Sequence, residues 1–138
     1  MSDNKAYSMQ RAILCFLAVL VIIFVVPIVV YGIFSAATAI QPPGNSPYLF
    51  LLGVFVSKAG TAAAFVFIVY FARESLSRHW LLYAAMWWLM FVLGEVGQAI
   101  GPNYSWAYAI AGIISETIYL PLSAYLTSRL IKKPETKN

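Results

Sequence analysis

The sequence predicts an all-α integral membrane protein, a four-helix bundle with both termini in the cytoplasm. Three observations carry that prediction. Of the 138 residues, 62% are hydrophobic and only 10% are charged, whereas a soluble domain carries about 25% charged residues. The mean hydropathy of +0.79 comes from long apolar runs separated by short polar joints, each run near the roughly 20 residues that cross a bilayer. Apart from Lys58, the lysines and arginines all fall on one side of the predicted membrane, the arrangement of loops that stay in the cytoplasm.

The first run begins at Ala12 and fades through Ala36 to Ile40, predicting a helix over about 12–38. Lys5 and Arg11 ahead of it and the small residues 35–39 after it imitate a secretory signal. Its apolar core of about 23 residues exceeds the usual 7 to 15, so it reads as an anchor. Residues 41–47 hold three prolines and a glycine, which cannot continue a helix. The second run predicts a helix over 48–72, its polarity broken only by Ser57, Lys58 and Thr61, and 73–79 is a short basic joint. The third covers 80–100 and carries Glu95 and Gln98 before the turn at Gly101-Pro102-Asn103. The fourth covers 106–131, with Glu116 and Pro121 inside it, and 132–138 reads as a disordered tail. The whole chain is one transmembrane domain in this reading. Trp80, Trp106, Tyr48, Tyr104 and Tyr108 stand at the predicted interfaces, where amphipathic rings anchor helices.

Several function classes are excluded at this level. No stretch remains for a separate soluble domain, and the net charge of +4 is accounted for by topology, so no nucleic-acid partner is expected. Cys15 is alone and lies in an apolar run, which leaves no internal disulfide and no Cys/His metal set. His79 has no ligand or triad partner at a useful spacing, and no phosphate-cradling glycine loop is present. No cofactor and no catalytic residue is expected. The bilayer is the one certain partner by composition, and a homo-oligomer or a second membrane protein is a further expectation; the ligand stays unnamed.

The chemistry lies in charges inside the membrane, each costing on the order of 2.5 to 3.5 kcal/mol on insertion scales. Lys58 and Glu116 fall about 15 Å below the outer face and Glu95 about 9 Å below it. A weak internal match, Asn45 to Ser57-Lys58 and Asn103 to Ser115-Glu116, sets the first two at one depth. On the fourth helix Gly112, Glu116, Tyr119, Ser123 and Thr127 follow helical spacing, a small and polar stripe that should face protein. Gly94, Gly97 and Gly101 should admit a close neighbour to the third helix, and Gln98 sits one turn from Glu95. Pro121 frees the carbonyl of Thr117 beside Glu116. One Lys and two Glu sum to minus one, so one carboxyl is either protonated or holds an external cation.

Two readings of the cluster follow. In the first, Glu116 and Glu95, with Lys58 as internal counter-charge and Gln98, Tyr119 and Thr117 beside them, form a proton- or cation-binding site of a small transporter or channel-like subunit. Trp88 and Phe91 below Glu95 extend this reading to an organic cation. In the second, Lys58 and Glu116 are a structural ion pair, Glu95 is held by Gln98, and the chain is an accessory, assembly or immunity-type membrane protein. A lipid-modifying enzyme ranks third, because the carboxylates lie deep and no nucleophile accompanies them. A bacterial inner (plasma) membrane is the expected location.

Overall fold

A computed structural model describes residues 2–38, 47–76, 78–102 and 104–131, with the backbone alone for 2–8, 47 and 50. Five helices follow in order: α1 (Ser2–Thr38), α2 (Pro47–Phe71), α3 (Arg73–Leu76), α4 (Trp80–Ile100) and α5 (Trp106–Leu130), and no strand occurs among the described residues. Four of them are long and apolar enough to cross a membrane, over Met9–Thr38, Leu51–Phe71, Trp80–Ile100 and Trp106–Leu130.

Helix α1 starts ten residues earlier than its apolar run, because nothing between Ser2 and Arg11 breaks a helix. Pro27 lies inside it, buried, without ending it. Helix α2 opens on Pro47, whose fixed φ and missing N–H suit a first helical position. The basic joint folds a single turn, α3. Gly101 closes α4 with φ −75° and ψ 158°, its N–H bonded to the carbonyl of Gln98; Pro102 after it forces that extended backbone. Ser105 caps α5, its side chain accepting the Tyr108 N–H at 3.3 Å. The joint at 39–46, with Asn45, and also Asn103 and the tail 132–138, lie outside the described residues.

Packing centres on α5. Half of its apolar window is buried, against 22% for α1 and α2 and 11% for α4. Its stripe of Gly112, Glu116, Tyr119, Ser123 and Thr127 is buried along its whole length. Side-chain pairs give the register. Cys15 Sγ meets Thr127 Oγ1 at 3.5 Å, and the Tyr31 and Tyr108 rings lie 6.0 Å apart, so α1 runs antiparallel to α5. Trp80 packs on Tyr125 at 5.5 Å while Glu95 lies over Gly112, so α4 also runs antiparallel to α5. Helix α2 packs on α1 through Phe24 and Phe55 and reaches α4 through large rings, Phe65 against Tyr83 at 4.7 Å and Trp87 at 5.4 Å. The Tyr83 hydroxyl donates to the Phe65 carbonyl at 2.7 Å. Leucines, isoleucines and phenylalanines cover the outside of these helices, the surface that hydrocarbon solvates.

One packing expectation is corrected. Gly94 and Gly97 are exposed, and a Cβ at either would meet nothing within 4 Å. The close approach between α4 and α5 is made by the other glycine, Gly112, where a Cβ would fall 2.5 Å from Glu95 Cδ. A carboxylate, not a backbone, fills that notch.

Candidate functional site

The site is built down one side of α5, starting at the α4–α5 turn. Tyr104, in that turn, donates its hydroxyl to Glu95 Oε2 at 2.7 Å. The Tyr31 hydroxyl of α1 lies 3.2 Å from the Tyr104 hydroxyl. Tyr108 packs at a tilt against both, with ring centroids at 5.8 Å from Tyr104 and 6.0 Å from Tyr31. Burial and the hydrogen bonds to Tyr31 and Glu95 hold the Tyr104 phenol well above its ordinary pKa, so it stays protonated and donates.

One turn below Gly112 on the same face lies Glu116, 3% exposed, with its Oε2 atom buried and without a hydrogen-bond partner among the described residues. A carboxylate oxygen left unpaired away from water is costly. Next comes Tyr119, fully buried, whose hydroxyl accepts from Lys58 Nζ at 3.4 Å. The ammonium lies over the Tyr119 ring at 5.2 Å and the Phe91 ring at 5.5 Å, and Phe91 stacks on Trp87. Lys58, Glu95 and Glu116 stand within electrostatic reach of one another. Among the described residues no ion pair joins Lys58 to either carboxylate. Two turns beyond Glu116, Ser123 Oγ is also buried and without a hydrogen-bond partner among the described residues.

The structure thus brings Glu95, Glu116, Lys58 and Tyr119 together and separates the other two residues of the expected set. Gln98 lies on the exposed side of α4; Tyr104, not Gln98, holds the Glu95 carboxylate. Thr117 is turned about 100° from Glu116 and is exposed, its hydroxyl donating to the Ile113 carbonyl at 2.7 Å and accepting from Trp88 Nε1 at 2.9 Å. With Pro121, Trp88, Leu81, Ala84 and Ala85 it lines a shallow apolar cavity of about 210 Å³ on the outer face of α4 and α5, away from the carboxylates. The expected structural pair between Lys58 and Glu116 is replaced by the Tyr119 hydroxyl, and the cation held by the rings is the chain's own lysine. Among the described residues no group of three or more His, Cys, Asp and Glu could hold a metal ion.

Sequence reasoning missed the three tyrosines. Tyr104 and Tyr108 read as interface anchors and Tyr31 carried no signal. The available clue was the short distance in sequence from the Gly101 turn to Glu95, which lets a turn residue reach back to a carboxylate about two turns down its own preceding helix. In comparisons with protein families, characterised proteins and solved structures, nothing matches the chain.

Proposed function

We propose that this protein is a small membrane transporter or channel-like subunit that moves protons or a small cation, with Glu116 and Glu95 as the exchanging carboxylates and Lys58 as the resident counter-charge. The observation that carries the proposal is Glu116 Oε2, buried on the central helix with no hydrogen-bond partner among the described residues although Lys58 stands nearby. A charge kept for structure would be paired, because an unpaired buried carboxylate costs stability and is strongly relieved by a contact ion. A carboxyl waiting for a proton or a cation has the geometry seen. The polar stripe continues below it through Ser123 and Thr127 toward the face that carries the termini, giving an exchanged ion a direction to travel. In this reading the helices form a bundle in a bacterial inner membrane with both termini cytoplasmic, and several copies assemble, since four helices enclose a thin pathway. Bond-making chemistry has no part in it.

A double-mutant cycle on unfolding in detergent tests the proposal, with Lys58→Met, Glu116→Gln and the pair. The expected result is a coupling below about 1 kcal/mol, Glu116→Gln as stable as the parent or more so, and loss of ion flux in liposomes for that variant. A coupling of about 2 kcal/mol or more, with stability recovered in the double variant, would mark the two charges as a structural staple and overturn it.

The second reading, an accessory or assembly protein, is favoured by one observation. Gln98 is exposed beside Gly94 and Gly97, which have open space around them, on the lipid-facing side of α4. Small residues and an amide on one face suit a neighbouring membrane helix. Co-purification of a stoichiometric second protein, lost on Gln98→Leu, would favour this reading.

A further inference from the structure

The turn end of the site is closed by hydroxyls in line. Tyr31 and Tyr104 hydroxyls are 3.2 Å apart, and Tyr104 donates to Glu95 Oε2 at 2.7 Å. We infer that the ion exchanged at this site is the proton and that the Tyr31 and Tyr104 hydroxyls deliver it to Glu95; this rests on the carboxylate-exchange reading above.

Three features of the site select a proton over a metal cation. The Glu95 carboxylate lies directly on the α5 backbone, since a Cβ at Gly112 would stand 2.5 Å from its Cδ and 2.6 Å from its Oε1, and Tyr104 occupies its Oε2, which leaves few of its ligand positions for a metal ion. A hard metal cation takes about six or more oxygen ligands, and Glu95 and Glu116 are the carboxylates here, with the position of a fixed cation already taken by Lys58 between Phe91 and Tyr119. The rings of Tyr31, Tyr104 and Tyr108 pack against one another at the turn end, at 6.0 and 5.8 Å, so a metal ion entering there would have to part them. A proton needs no opening, only donors and acceptors in contact.

The step balances without a co-reactant. A hydronium ion at the turn face gives a proton to the Tyr31 oxygen and is left as water, the Tyr31 hydroxyl proton passes to the Tyr104 oxygen, and the Tyr104 hydroxyl proton passes to Glu95 Oε2. One O–H bond breaks and one forms at each tyrosine, both phenols end as they began, and the carboxylate becomes a carboxylic acid. Glu116 lies one turn from Gly112 on α5, and the relay seen in the structure ends at Glu95.

The test uses the full chain in liposomes of phosphatidylethanolamine and phosphatidylglycerol, with pyranine inside and a potassium diffusion potential set by valinomycin. The parent is expected to acidify the lumen equally in sodium and in choline medium. Tyr104→Phe keeps the ring and removes the hydroxyl, so it should slow acidification about tenfold or more, as loss of a positioned proton-transfer group does. Parent rates in Tyr104→Phe, or a rate that requires sodium, would overturn the inference. If Glu116→Gln stops the flux while Tyr104→Phe does not, the relay alone falls; if the parent moves sodium and no protons, the proton inference alone falls; if Glu116→Gln conducts like the parent, or the parent moves neither protons nor sodium, the underlying reading falls with it. Should Tyr104→Phe fail to fold, Tyr31→Phe decides in the same assay, with a parent rate there overturning the relay.

Discussion

Gly112 and Tyr119 show how single residues set the state of a buried charge. The notch at Gly112 admits the Glu95 carboxylate, and Tyr104 holds it there. Gly112→Ala should therefore act on the site more than on the fold. The displaced carboxylate forfeits a hydrogen bond to a charged group, worth about 1.5 to 3 kcal/mol, while replacing a helical glycine with alanine returns about 1 kcal/mol. Unfolding in detergent should show a loss of no more than about 2 kcal/mol, and proton flux should fall as it does in Tyr104→Phe. Tyr119→Phe removes the oxygen that accepts from Lys58 and leaves the ammonium with ring faces alone, so it should destabilise the protein by about 1 to 3 kcal/mol, measured by the same unfolding. Tyr119→Phe and Lys58→Met should be non-additive in that assay, because each removes one side of the same contact. From the sequence, the burial of Glu116 and Tyr119 was legible because helical spacing places them on one stripe. The partner of each was not, since spacing along one helix says nothing about which residue of another helix arrives opposite it.

At the scale of the element, the ends of the helices follow local chemistry. Pro47 opens α2, the Gly101-Pro102 pair ends α4, and Ser105 caps α5. Ser105→Ala should cost about 1 kcal/mol, and it should also loosen Tyr104 beside it, so the unfolding loss and a slower proton flux should appear together. Two features escaped the apolar pattern. The start of α1 at Ser2 is invisible to hydropathy, because a polar helix outside the bilayer carries no apolar run. The single turn α3 is too short for periodicity to register.

For the whole molecule, α5 is the hub, and the exposed faces of the other long helices are those that hydrocarbon covers. Basic and aromatic side chains gather at the face where α2 and α5 end, Arg73 over Tyr70 at 5.8 Å and Arg129 over Tyr125 at 5.1 Å, which suits an interface with water. The proposed topology makes a direct prediction. In a Cys15→Ala background, a cysteine placed at Asn103 should react with an impermeant thiol reagent applied outside intact cells, and one placed at Lys137 should react only after lysis. The reverse pattern would invert the orientation.

The sequence by itself determined the number of apolar helices, the polar stripe of the last helix, and the presence of three charges within apolar runs. Those follow from properties carried along one chain: apolar length against bilayer thickness, and side-chain direction against helical period. The tertiary structure alone decided that Lys58 rests on Tyr119 instead of a carboxylate, that Gln98 lies on the exposed side, that Thr117 belongs to the face of Pro121, and that Tyr104 turns inward to Glu95. Each of these depends on how far one helix is rotated and shifted against another. That rotation is set by the packing of all four long helices at once, so no segment read in isolation contains it.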